Sequence, residues 1–160
     1  MDFEFNETER MLADAARRVV AKEIESVLDS HPPDRPLPKE AMLELYRSVA
    51  DLGYHGARIS EKEGGSGLTY VMLGILNELL PPVLAMSLLG HESTIKRIEM
   101  GGTAEQKARF LPDLLAGRKI AGTATSEPNV GSDPRGIETT AVLAGDHYVL
   151  NGTKLWATYG

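Results

Sequence analysis

Residues 120–133 run Ile-Ala-Gly-Thr-Ala-Thr-Ser-Glu-Pro-Asn-Val-Gly-Ser-Asp and mark a change of character in a chain of 160 residues. Ile120 to Ser126 reads as a strand of small residues that stops at Glu127-Pro128. Proline removes a backbone donor and holds the residue before it extended, so the strand cannot simply continue. Asn129, Gly131, Ser132 and Asp133 follow as a loop of hydroxyl, amide and backbone N–H groups. Small side chains let a flat ligand lie close to such a strand, and the loop offers donors to an anion. A polar connection between two strands accounts for the same composition.

Beyond this stretch, Thr139 to Val142 and Tyr148 to Leu150 read as strands joined by a turn through Gly145-Asp146. Asn151-Gly152 signals a tight turn into a further strand, Lys154 to Thr158. Before about Gly117 the pattern is helical. Asn6 caps a first helix, with Glu9 in the capping-box position, and Leu12, Ala16, Val20, Ile24 and Val27 form its apolar face. His31 to Pro36 is a stiff loop, and Pro38 reopens a helix whose buried stripe is Met42, Leu45, Tyr46, Val49 and Leu52, with Gly53 as terminator.

Glu61 to Thr69 is glycine-rich, but no Gly-Lys-Ser/Thr follows, so a phosphate loop fails and a turn with unusual backbone angles is expected. Val71 to Leu80 is apolar nearly all round, which predicts a helix buried on most sides. Pro81-Pro82 breaks it, Val83 to Met100 resumes a helix, and Gly101-Gly102 stops that one. Thr103 and Gln106 make another capping box, followed by an apolar cluster of Phe110, Leu111, Leu114 and Leu115 that Pro112 is expected to kink or split. Helices first and strands afterwards give an α+β class, with a helical domain at 1–117 and a β-domain beginning at 118–160.

Composition narrows the function. A net charge of -6 leaves no basic footprint for nucleic acid. The absence of cysteine excludes disulfides and thiolate chemistry. No stretch has the apolar length of a membrane span, and the acidic start, Met1 to Phe5, lacks the apolar run of a signal peptide, so cytoplasm is the expected compartment. His31, His55, His91 and His147 are scattered, and His91-Glu92 lacks the second histidine of a helical zinc site; no metal is expected.

Two stretches carry a family likeness. Ser126-Glu127-Pro128-Asn129-Val130-Gly131-Ser132-Asp133 resembles the first flavin-contacting signature of the acyl-CoA dehydrogenases. Asn151-Gly152-Thr153-Lys154-Leu155-Trp156-Ala157-Thr158 resembles the second. Leu52-Gly53, Gly64 to Gly67, and Gly102-Thr103 with Glu105 to Lys107 also fit, so the likeness covers essentially the whole chain. It implies an all-α N-terminal domain followed by the first strands of a β-barrel-like middle domain, with the C-terminal four-helix bundle absent from these residues.

The resemblance also implies roles. Thr123, Ala124, Thr125 and Ser126 would contact the pyrimidine edge of FAD, with Ser126 keeping the hydroxyl of the threonine usual there. Ser132 would lie near the FAD pyrophosphate and the pantetheine arm of the acyl-CoA substrate. Trp156 would flank the flavin ring, Ala157 stands where isoleucine is common, and Thr158 would bring a hydroxyl near the hydride-accepting nitrogen. Without the flanking motif, Trp156 reads better as a half-buried strand aromatic.

The implied reaction oxidises acyl-CoA to 2-enoyl-CoA by α-proton abstraction and β-hydride transfer, in a homo-oligomer, usually a homotetramer, that passes electrons to electron-transfer flavoprotein. The family's catalytic glutamate comes from later sequence and maps to no residue here. Glu127 and Asp133 read as loop-securing carboxylates rather than substitutes for it. Residues 1–160 alone are therefore expected to lack activity and to hold FAD weakly. A non-catalytic interaction module, or an acyl-CoA oxidase or flavin monooxygenase of the same fold, are the alternatives.

Overall fold

The structure is a computed structural model that describes residues 4–159. Met1 to Phe3, part of the acidic N-terminal run, and Gly160 lie outside the described residues. The chain forms two compact units that meet in sequence between Ala121 and Gly122.

In the first unit, α1 spans Glu7–Val19, and the expected capping box is formed: the Glu9 N–H donates to Asn6 Oδ1 and the Asn6 N–H to Glu9 Oε2, each at 2.9 Å. A π-helical turn, Val20–Ile24, then leads into α2, Glu25–Asp29. The spacing explains the turn. Ala16, Val20 and Ile24 recur every four residues, and on a 3.6-residue helix each step drifts about 40° around the axis. The wider π-turn takes up that drift, so Ile24 and Val27 stay buried with Ala16.

Helix α3 (Lys39–Ala50) buries Leu45, Tyr46 and Val49, and Leu52 follows them into the core. Gly53 ends the run at φ 75°, and a Cβ there would also strike Ser66 at 2.6 Å. Helices α4 (Tyr70–Leu79), α5 (Pro82–Gly101) and α6 (Ala104–Leu115) complete the unit. The second capping box, between Thr103 and Gln106, is present.

Two expectations are corrected here. Helix α4 is not buried on most sides: it buries Leu73, Ile75 and Leu76, while Tyr70 and Val71 are exposed. Of the kink or split expected at Pro112 the split is absent, since α6 runs unbroken to Leu115. Proline removes one donor and crowds the carbonyl four residues back, and a final turn tolerates that better than a helix centre. Phe110 also stays partly exposed while Leu111 and Leu114 are buried.

The main core joins α1 to α5 through Ala16, Ile24, Leu45, Tyr46, Leu76 and Leu88, with Ile59, Ile95, Leu111 and Leu114 as a smaller cluster. Polar groups are buried beside it. Glu92 is held by Arg58, whose Nε donates to its carboxylate at 2.8 and 2.9 Å. His55 donates from Nε2 to the Tyr46 carbonyl at 2.8 Å, its Nδ1 has no partner, and burial pushes its pKa down to about 4.

In the second unit the described strands are β1 (Thr140–Ala144) and β2 (His147–Asn151), an antiparallel pair in which Val142 faces Val149. This is the expected hairpin, and every described strand follows Gly117. The other two expected strands are absent as such. Residues 121–126 and 152–154 have no regular secondary structure, and Trp156 and Tyr159 take left-handed φ of 57° and 61°, which turns the backbone away. Among the described residues no helix is long and apolar enough to cross a membrane.

Candidate functional site

The second unit is assembled around Glu127. The Glu127 N–H donates to the Val130 carbonyl at 2.9 Å, and the Val130 N–H returns the bond at 3.1 Å, closing a tight turn over Pro128-Asn129. The Glu127 side chain accepts from the backbone N–H of Glu138 at 2.7 Å, from that of Thr139 at 3.0 Å, and from the Thr139 hydroxyl. Lys154 Nζ supplies a further donor at 2.7 Å. The lysine, then the Thr139 hydroxyl and the backbone amides, hold this carboxyl at about pKa 2. Such a group is a poor proton acceptor at neutral pH.

The same lysine joins the two motif segments. Lys154 Nζ also donates to the Thr125 carbonyl at 3.2 Å. Alongside it, the Leu155 N–H donates to the Ser126 carbonyl at 2.8 Å and the Thr158 N–H to the Thr123 carbonyl at 3.0 Å. Gly122 permits this approach, because a Cβ there would lie 2.0 Å from the Thr158 carbonyl oxygen. These two backbone bonds join the segments outside any assigned strand.

Each candidate residue can now be located. Thr123, Ala124 and Ser126 are half-buried and Thr125 is exposed. Trp156 leaves 86% of its surface open, and Ala157 and Thr158 beside it are exposed. Ser132 lies on the exposed loop. Asp133 caps a short 3-10 turn, Pro134–Gly136, accepting from the Arg135 N–H at 3.1 Å and from its guanidinium at 2.9 and 2.8 Å. Those bonds hold its carboxyl below the ordinary range. Trp156 is thus not the half-buried strand aromatic that composition alone suggests. The unit brings Thr123 to Ser126 together with Lys154 to Thr158; Lys154 and Thr139, which organise the join, were not among the candidates.

Among the described residues no group of three or more potential metal-ligating side chains is gathered. The chemistry on offer is a set of hydroxyls, backbone groups and one open indole.

Residues 6–118 match the family described as acyl-CoA dehydrogenase, N-terminal domain. Isobutyryl-CoA dehydrogenase of Dictyostelium discoideum is 37% identical over 120 residues, covering 73% of this chain and 29% of the relative. A probable acyl-CoA dehydrogenase of Bacillus subtilis is 40% identical over 124 residues, covering 74% of this chain and 21% of its own. The solved acyl-CoA dehydrogenase of Bacillus anthracis, complexed with FAD, superposes with a TM-score of 0.74 at 30% identity, over 96% of this chain and 27% of that one. The chain therefore spans less than a third of the length of these relatives. By its matched helical domain and its relatives, the chain belongs to the acyl-CoA dehydrogenase family.

Proposed function

We propose that residues 1–117 form the helical domain and 118–160 the opening of the flavin-holding β-domain of an FAD-dependent acyl-CoA dehydrogenase. The observation that carries this reading is the join of the two motif segments, which leaves Trp156 and Thr158 exposed beside the hydroxyl-bearing run Thr123 to Ser126. An open indole fits the face of a flat ring, and hydroxyls and backbone groups fit its polar edge.

In this assignment Thr123, Ala124, Thr125 and Ser126 bind the pyrimidine edge of the ring. Trp156 and Ala157 flank it, Thr158 directs a hydroxyl at its reactive centre, and Ser132 serves the pyrophosphate and the pantetheine arm of the acyl-CoA. Glu127 and Lys154 fix these groups in place, since groups held rigidly before reaction need no reorganisation during it. Bound FAD would supply a two-electron acceptor for the substrate's β-hydride. The family resemblance assigns the α-proton to a glutamate of later sequence, and Glu127 and Asp133, both committed to holding their loop, are not proposed for that role. Electron-transfer flavoprotein is the proposed electron acceptor and a homotetramer the proposed assembly.

The test is to purify the complete protein, measure its FAD content, and mix it anaerobically with a panel of acyl-CoA thioesters. Stoichiometric FAD whose visible absorbance bleaches with at least one thioester is the expected result. A protein that takes up no FAD, or whose flavin no thioester reduces, would overturn the reading.

A further inference from the structure

The helical unit contains a buried group whose bonding ends where the flavin segment begins. His91 lies in α5 with no exposed surface. Its Nδ1 accepts the Ala121 backbone N–H at 3.0 Å, and its Nε2 lies 3.1 Å from the Leu114 carbonyl in the last turn of α6. These partners fix the tautomer: an amide N–H can only donate and a carbonyl can only accept. The ring must therefore be neutral, with its proton on Nε2. Tyr46 and His55 wall it edge-on, their ring centres 4.9 and 4.7 Å away. The next carboxylate along α5, Glu92, is committed to Arg58.

We propose that His91 is a positioning residue for the flavin site. It satisfies the last amide of the helical unit and so fixes the point from which Gly122 to Ser126 departs. The neighbouring tethers end earlier: the N–H groups of Arg118 and Lys119 donate to the Asp113 carbonyl at 2.9 and 3.2 Å. The role at the cofactor rests on the function proposed above; the anchoring of Ala121 does not.

Two variants separate anchoring from packing. In His91→Asn the amide oxygen takes the place of Nδ1 and keeps an acceptor for Ala121, although the side chain is shorter. In His91→Gln the amide reaches the place of Nε2, fills more of the space, and leaves the Ala121 N–H without its acceptor. A packing role ranks Gln above Asn, and an anchoring role ranks Asn above Gln. The readouts are the hydrogen exchange of the Ala121 amide and the FAD dissociation constant of the complete protein. For His91→Gln both are expected to worsen by about two- to tenfold, the range of one hydrogen bond, with His91→Asn close to wild type.

Nitrogen chemical shifts of the wild-type histidine give an answer that needs no variant to fold: Nδ1 should be unprotonated and Nε2 protonated. A protonated Nδ1, or Asn no better than Gln at Ala121, would overturn the anchor. If the wild type binds no FAD, the functional reading fails by that result, and the Ala121 exchange still decides the anchor.

Discussion

The two units are held by opposite means. The helical unit closes over a continuous apolar core, in which Ala16, Ile24, Tyr46, Leu76 and Leu88 have no exposed surface. In the second unit every residue of β1 and β2 is exposed, and among its described residues the buried side chains are those of Glu127 and Val130. One is stabilised by area removed from water, the other by directed polar bonds onto one carboxylate. Area burial tolerates sliding, whereas a carboxylate with four donors fixes positions, which suits a surface that must present particular atoms to a ligand.

The sharpest way to break this contrast is to truncate one apolar side chain in each unit. Leu88→Ala should destabilise the helical unit by about 2–5 kcal/mol, through lost transfer energy and the cavity left behind. Val142→Ala, on an exposed strand, should change stability by less than about 0.5 kcal/mol. Chemical denaturation of both variants measures the difference. Equal losses would mean that the hairpin has a core of its own.

Acid should separate the units as well, because their titrating groups have opposite signs. An unfolded imidazole gains its proton near 6.5, whereas folded His55 resists until about 4 under burial and the neighbouring His91, despite its bond to the Tyr46 carbonyl. His91 is shifted the same way, chiefly by burial. Glu92, paired with Arg58, opposes the shift at His91, and the facing rings are Tyr46 and Tyr54. Between those pH values the unfolded chain holds more protons, so stability is whole above about pH 6.5 and falls as the pH drops toward 4. The expected loss is on the order of a few kcal/mol. Denaturation midpoints across this range should decline, and His55→Phe should flatten the slope. An unchanged slope would show that the histidines do not control acid stability.

The second unit should respond later. Glu127 is lowered from 4.5 to about 2, first by Lys154. Its contribution is present above about 4.5 and is lost as the pH falls through 2. Glu127→Gln should remove it at all pH values, speeding exchange of the Glu138 and Thr139 amides that it accepts while leaving the α3 amides unchanged. Slowing or no change at Glu138 and Thr139 would remove Glu127 from the centre of this unit.

Much of the helical unit was legible because its signals are local. Asn6 with Glu9 and Thr103 with Gln106 are reciprocal bonds three residues apart, and both formed. The π-turn was written in the four-residue steps Ala16, Val20, Ile24 but passed unread as an ordinary helix. Exposure of Tyr70 and Val71 could not be read, because apolarity on every side says nothing of which side finds a partner. In the second unit the hairpin at Gly145-Asp146 was legible, and the two motif segments beside it were mistaken for strands. Their pairing depends on Lys154 reaching Thr125 and Glu127 across 29 and 27 residues. A lone lysine among apolar and hydroxyl residues, and a carboxylate before proline, were the available signals for it.

The finest test concerns Thr158, where the contrast narrows to one hydroxyl. Its N–H already holds the Thr123 carbonyl, so the backbone role is separate from the side chain's. Thr158→Val keeps the shape and that backbone bond and removes only the hydroxyl, which the proposed function directs at the flavin. The residue is exposed, so folding should be nearly unaffected. One hydrogen bond is worth about 0.5–1.5 kcal/mol net, so flavin reduction by acyl-CoA in the complete protein should slow by roughly two- to tenfold. Stopped-flow reduction, read beside the thermal midpoint, distinguishes the two effects. Slower reduction with an unmoved midpoint assigns the hydroxyl to chemistry. A fallen midpoint with unchanged reduction would return Thr158 to structure and leave Trp156 as the side chain of this segment that meets the ring.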